Sequence, residues 1–482
     1  MPSLNKKENI RKNLHENEAY LKNRLGDGVS FDVGSRTFKY GERNVLIYYV
    51  TGLCFAEMVM DLFANVNESN DGSIHDFLQH NLPHQQVETT NKFDEAIDRL
   101  LSGLLLIFVD GEPECFIIDA RQYPGRQPEE PDTEKVIRGA RDGFTENIVE
   151  NTALIRRRIR DENLRNEMVQ VGERSKTDVC ISYLKDVADP GLVDLVKKEL
   201  AGIKTDGIPM ADRAVEEYIM KQGWNPFPLV RYTERPDVAS VHILEGHVML
   251  IVDTSPSAII IPTTFFHHLQ HAEEYRQTPG IGAFLRWVRF IGVFASIFLL
   301  PLWYLYVLDP NLLPKEIDFI GPNKDSKIPI ILQLLIADYG IDLLRMASIH
   351  TPTPLATAMG LIAAVMIGQI AIDVGLFVPE VVLYVAIAAI GTYATPSYEL
   401  SVANKLVRLF LLLAVLAFKL PGLVIASTLV IVYLVKLKNL NTPYLWPFIP
   451  FNLSAFLNVL IRIAEPYKKR RPSILHPQNA KK

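Results

Sequence analysis

The chain has 482 residues and a formal net charge of −5, from 50 Lys+Arg against 55 Asp+Glu. That length exceeds one compact domain and suits two or three. Residues 281–482 hold 18 basic against 10 acidic side chains, leaving 32 against 45 in residues 1–280, so an acidic front half excludes the basic footprint of a nucleic-acid binder.

The first 27 residues read as one or two polar helices, with no apolar core before a small-residue cleavage site. No signal peptide is expected, and the front half should stay in the cytoplasm. The three cysteines, Cys54, Cys115 and Cys180, lack CxxC spacing and read as reduced, mostly buried thiols. "SFDVG" and "NVLIYYVTG" read as strands, "FAEMVMDLFANV" and "NKFDEAIDRLL" as helices. "GLLLIFVDGEPECFIID" (residues 103–119) is two apolar runs joined by Asp-Gly, a strong hairpin signal.

A second unit follows. "GHVMLIVDTSPSAIIIP" (residues 246–262) aligns with residues 103–119 without a gap and matches it at Gly103/Gly246, Val109/Val252, Asp110/Asp253, Pro113/Pro256, Ile117/Ile260 and Ile118/Ile261. Any two buried hairpins share apolar residues and a turn, but the matched Val-Asp-x-x-Pro favours an internal duplication. The front half is therefore expected to be a cytosolic α+β or α/β region of two related subdomains, residues 1–130 and 131–283. Between the hairpins, a Pro- and charge-rich linker leads to a helix starting near Thr145 and ending in Arg156, Arg157, Arg158 and Arg160. Those arginines form either a basic stripe for an anionic surface or a solvated face.

The back half is expected to be an all-α multi-pass membrane domain, residues 284–466, followed by a basic cytoplasmic tail, residues 467–482. Residues 290–308 suit a first span, with Arg286 and Arg289 marking its cytoplasmic end and Trp303, Tyr304 and Tyr306 its outer end. Residues 328–350 carry Asp338, Asp342 and Arg345, spaced so that a carboxylate and the guanidinium can pair on one helical face. This segment is either an interfacial helix or a span packed in a bundle. Residues 355–378 follow a "TPTP" break. Gly360, Ala364 and Gly368 form a small-residue row for close helix packing. Gln369 and Asp373 form a separate polar row that faces protein or a water-filled path if it lies deep, or the membrane surface if it lies shallow. Residues 381–393 make a short span, and residues 406–435 one kinked helix or two, broken at Pro421-Gly422. Lys436, Lys438 and the basic tail place the C-terminus inside, which requires an even count of four or six spans. The Pro-interrupted aromatic run at 442–466 suits the interface.

No P-loop, GxGxxG after a strand, HExxH or GxSxG is present, and no nucleophile stands beside a base, so no enzyme and no cofactor are expected. His267 and His271, with His268 between them, have zinc-compatible spacing but no evident third ligand, and no metal is expected.

"VGERSKTDVCISYLKDVAD", "PFPLVRYTERPDV", "LEGHVMLIVDTSPSAIIIP", "HTPTPLATAMGLIAAVMIGQIAIDVGLFVPEVV" and "TPYLWPFIPF", in that order, resemble the successive signatures of A subunits of the GerA-type spore germinant receptors. The resemblance spans residues 20–472. It implies a multi-pass protein of the spore inner membrane with both termini cytoplasmic, working with other germination membrane subunits. It also implies a homo-oligomeric ring in the lipid bilayer, a pentamer by family analogy, that forms an ion channel releasing cations. The stretch Thr233, Glu234, Arg235, Pro236 and Asp237 then belongs to a cytosolic gating or assembly domain. One departure is visible: the family's closing motif carries "DLKD" before a "LIR"-like segment, where this chain has "NLSAFLNVLIR".

Overall fold

The computed structural model describes residues 8–40, 42–55, 87–124, 134, 136–312, 314, 319–323, 326–350 and 368–481. The chain divides into two compact units. One comprises Met1–Gln222, Val230–Pro262 and Glu465–Lys482; the other comprises Gly223–Leu229 and Thr263–Ala464.

The first unit opens with helix α1 (Leu14–Leu25), strands β1 (Val33–Tyr40), β2 (Arg43–Val50) and β3 (Val87–Thr90), helix α2 (Phe93–Leu101), and strands β4 (Leu105–Val109) and β5 (Cys115–Ile118). It continues with α3 (Ile148–Arg158), β6 (Leu164–Val171), β7 (Thr177–Leu184), α4 (Pro190–Ala201), α5 (Ala211–Met220), β8 (Arg231–Thr233), α6 (Pro236–Glu245), β9 (Val248–Val252) and β10 (Ala258–Ile261). The strands form two five-stranded sheets, ordered β1-β2-β4-β5-β3 and β6-β7-β9-β10-β8. Strand for strand the orders are the same, and every pairing is antiparallel. Of the two classes expected, the sheets are α+β. The helix expected at "FAEMVMDLFANV" lies outside the described residues.

The repeat extends to single hydrogen bonds. Thr90 pairs with Cys115 as Thr233 pairs with Ala258. Asn13 and Asn147 cap α1 and α3. One turn on, the buried Asn17 bonds both backbone groups of Arg11, and Asn151 does the same to Thr145. The turn aspartates found by alignment serve one purpose: Asp110 accepts from Leu14 N and Asp253 from Ile148 N, each at 3.3 Å. A carboxylate at a helix start satisfies an otherwise orphaned N–H and favours the dipole. Asp110→Ala and Asp253→Ala should each cost about 0.5–2 kcal/mol, the usual loss of a helix cap. Denaturant unfolding of the full chain checks this, and similar losses at both sites are expected.

Alternation in β2 sends Leu46 and Tyr48 to one face and Val45 and Ile47 to the other. The first face packs under Leu21, Leu25, Phe93 and Leu100 of α1 and α2. β4 and β9 sit centrally, which is why all five residues of each are buried and apolar.

One buried ion pair joins the two subdomains. Arg156 of α3 donates to Asp32, just ahead of β1, at 2.7 and 3.2 Å, and both side chains are 1% exposed. Ser30 Oγ (2.7 Å) and Asn166 Nδ2 (3.0 Å) also donate to Asp32. Burial pushes the Asp32 carboxyl up, but the Arg156 charge and these hydrogen bonds outweigh it and hold the group below its usual 3.8. The arginine run is therefore not one basic face. Arg156 is interior, Arg157 lies over the Tyr123 ring at 4.4 Å, Arg158 pairs with Asp142, and Arg160 bonds Ser102. The basic tail also packs within this unit, with Gln478 donating to the carbonyls of Lys185 and Ala188.

The second unit is helical: α7 (Ala272–Arg276), α8 (Pro279–Leu308), α9 (Ile330–His350), the single turn α10 (Ala371–Asp373), α11 (Pro379–Tyr393), α12 (Tyr398–Lys436) and α13 (Leu453–Leu460). Among the described residues, α8 and α12 are long and apolar enough to cross a membrane. α12 is two helices. Lys419 leaves helical geometry at φ 49° and ψ −133°, two residues before Pro421. A Cβ added at Gly422 would stand 2.0 Å from the Ala414 carbonyl, so the chain reverses there. The break falls at Lys419 rather than at Pro421-Gly422, because a proline obstructs the preceding turn and the residues ahead of it absorb the change.

Candidate functional site: charged and small residues among apolar helices

The core of the helical unit gathers Leu300 and Trp303 of α8, Leu334 of α9, Val385 of α11, and Leu411 and Leu423 of α12. Charge is embedded in it. α9 contributes Asp338, 3% exposed, and α12 contributes Arg408, 1% exposed, bonded at 2.6 Å. Arg408 also donates to Ser296 O of α8 at 2.7 Å and to Thr392 Oγ1 of α11 at 3.4 Å, so one guanidinium touches three neighbouring helices. Lys405, one turn earlier, stands 3.4 Å from the second Asp338 oxygen, donates to its carbonyl at 3.0 Å and pairs with Asp342. A cavity of about 420 Å³ opens beside them, with Leu335, Ile336 and Leu409 as apolar wall and Asp338, Asp342 and Lys405 at its edge.

The expected partner of these acids was Arg345. The structure corrects that: Arg345 lies over the rings of Tyr393 and Tyr398, at 5.3 and 4.3 Å. Its place on α9 carries it toward those aromatic faces, where a guanidinium is attracted by the ring quadrupole. Lys405 and Arg408 take the acids instead. Their signal in the sequence is two cations three residues apart at the head of an apolar run, a spacing that sets them on one helical face.

The helix expected over 355–378 is described from residue 368, where a single wider turn precedes α10 and Gly375, at φ +73°, ends it. Gln369 and Asp373 are exposed, beside the exposed Ile370 and Val374. Gly368 has open space around its α-carbon, and Gly360 and Ala364 lie outside the described residues. Close helix approach occurs at another pair. A Cβ on Gly391 of α11 would meet the Gly292 carbonyl of α8 at 2.2 Å, so these backbones come this close because Gly391 carries no side chain.

At the start of α8, the buried Glu274 of α7 accepts from Arg286 at 2.8 Å and pairs with Arg289. Arg286 also donates to the carbonyls of Asn458 and Val459 in α13. In the divergent closing motif, Arg462 donates to the carbonyls of Tyr275 and Gln277. His267 caps its own turn through Thr264, and His271 caps α7, so the two do not share one helical face.

In the first unit, the stretch 233–237 is an anchor for the linker. Pro236 opens α6 and Arg235 is fully buried. Arg235 bonds Asp237 and the carbonyls of Glu134 and Ala140, while Thr233 Oγ1 donates to Glu134 at 2.6 Å.

A family model described as Bacillus/Clostridium GerA spore germination protein matches residues 19–474. Stage V sporulation protein AF of Bacillus subtilis (strain 168) is 59% identical over 98% of each chain. Spore germination protein KA of the same organism is 28% identical over 96% of this chain and 87% of that protein. Among solved structures, the N-terminal domain of the A subunit of the Bacillus megaterium spore germinant receptor GerK3 is similar, with 27% identity and a TM-score of 0.43, covering 54% of this chain and 99% of that one. With a match across nearly its whole length, the chain belongs to the Bacillus/Clostridium GerA spore germination protein family.

Proposed function

We propose that this chain is a membrane subunit of a spore germination complex, and that several copies assemble into a ring, a pentamer by family analogy, that conducts cations. It works beside other germination membrane subunits in the spore inner membrane, crosses the bilayer several times and keeps both termini in the cytoplasm. It is no enzyme on this reading.

The supporting observation is the contrast between the acids of the helical unit. Asp338 and Asp342 are neutralised within one copy by Arg408 and Lys405. Asp373 has no hydrogen-bond or ionic partner among the described residues, and it stands exposed among apolar neighbours. A charge at the bilayer centre costs about 2.5–3.5 kcal/mol, so such a residue turns toward a bundle interior or an aqueous cavity. A ring of copies with Gln369 and Asp373 facing its axis meets that requirement.

Cation flux through vesicles holding the purified oligomer tests the reading, and Asp373→Asn should lower it or change its selectivity. Flux identical to the parent protein removes Asp373 from the conducting path. A preparation that carries no ions yet retains its partner subunits favours a membrane scaffold, and saturable uptake of a solute favours a transporter.

A further inference from the structure

We propose that Gly223–Leu229, although bracketed in sequence by strands and helices of the sheet-containing unit, is a membrane-surface foot whose Trp224 indole sits in the headgroup and glycerol layer of the bilayer. The inference rests on reading the returning arm of α12 as a membrane helix, but on no claim about conduction.

Three attachments fix this segment to the end of that arm. Tyr433 Oη donates to Asn225 Oδ1 at 2.9 Å. The buried Phe227 ring packs 6.2 Å from Tyr433 and 6.4 Å from Tyr444. Asn439, just past the arm, donates to the Leu229 carbonyl and, at 3.1 Å, to Thr263 Oγ1, which itself donates to that carbonyl at 2.8 Å. The loop also stiffens itself: Phe227 N donates to Asn225 Oδ1 at 3.1 Å, and Asn225 Nδ2 to the Phe227 carbonyl at 2.9 Å.

The residue next to the first of these attachments is Trp224, which is fully exposed. A large apolar ring left in water forgoes the hydrophobic stabilisation that burial would give it. The arm itself marks the depth. Ile425, Leu429, Ile431 and Val432 are exposed and apolar, then Tyr433 is exposed, then Lys436 and Lys438. Apolar side chains giving way to an amphipathic aromatic and then to cations is the profile of a membrane–water boundary. Asn225 is bonded at the aromatic level of that profile, and Trp224 is its neighbour. Tryptophan prefers that layer because its ring is apolar and its N–H meets ester and phosphate oxygens. The two lysines favour an anionic lipid surface.

The test uses the full chain in phospholipid vesicles, with the fluorescence of Trp224 taken as the difference between the parent protein and Trp224→Phe. Flotation with the vesicles first establishes that the chain is inserted, which separates failure of the membrane reading from failure of this proposal. Lipids brominated near the glycerol end of the acyl chain should quench the Trp224 component several-fold more than lipids brominated near the chain terminus. The component should be blue-shifted and shielded from aqueous acrylamide. Asn225→Ala, which releases Tyr433 and loosens the loop, should reduce the bromine quenching while the chain still floats. A red-shifted component quenched by acrylamide places Trp224 in water, and a blue-shifted one untouched by either bromine position places it against protein. Either result overturns the proposal.

Discussion

Arg408→Met should lower the stability of the helical unit by about 3–5 kcal/mol, the usual loss when one member of a buried ion pair is removed. The substitution keeps much of the side-chain volume but leaves Asp338, 3% exposed, without its 2.6 Å partner. It also strips donors from the Ser296 carbonyl and the Thr392 hydroxyl, so the contacts of α12 with α8, α9 and α11 weaken together. Lys405, at 3.4 Å, is too engaged with Asp342 to replace it. The measurement is thermal unfolding of the detergent-solubilised chain. The double variant Arg408→Met, Asp338→Leu should recover most of the loss, because an apolar pair of similar volume is often neutral in place of a buried ion pair. Equal losses in the single and double variants would mean that packing, and not charge, sets the effect.

The second large effect belongs to the clasp between the two subdomains. Arg156→Leu abandons a carboxylate that is 1% exposed, and a loss of about 3–5 kcal/mol is again expected. pH gives an independent reading. The folded chain holds Asp32 below its usual 3.8. Its stabilising contribution is therefore fully present above roughly pH 4 and is lost as pH falls through the lower folded value. Unfolding followed from pH 6 downward should show the parent chain losing more stability across that acidic window than Asp32→Asn, whose side chain does not titrate. Parallel curves would remove Asp32 from the acid response.

Which parts of this architecture were legible in the sequence depends on how far apart the interacting residues lie. The duplication was visible because an Asp-Gly turn and its Asp-Thr counterpart keep the same distances to flanking apolar residues. Strand order was not, since nothing local says that β2 pairs with β4 across the residues carrying β3 and α2. Arg156 looked like one of four surface arginines, and its burial is set by Asp32, 124 positions earlier. The acids of α9 are legible as a site, but the nearest cation in sequence, Arg345, is not the nearest in space. Arg408 reaches Asp338 from 70 positions away. The crossing of α8 and α11 is hidden for a related reason: a small-residue row is read within one helix, whereas Gly292 and Gly391 are single glycines on two helices that meet at one crossing.

The reversal at Lys419 has a mechanical corollary. The outgoing arm, residues 398–418, is about 31 Å long at 1.5 Å per residue, close to the roughly 30 Å thickness of a hydrocarbon slab. The returning arm, residues 420–436, reaches only about 25 Å. On the proposed reading of both arms as membrane spans, a hairpin with unequal legs strains the lipid against its shorter side, and the acyl chains would pinch inward there. Headgroups would then be drawn down toward Tyr433, giving the leaflet a local dimple that travels with the protein.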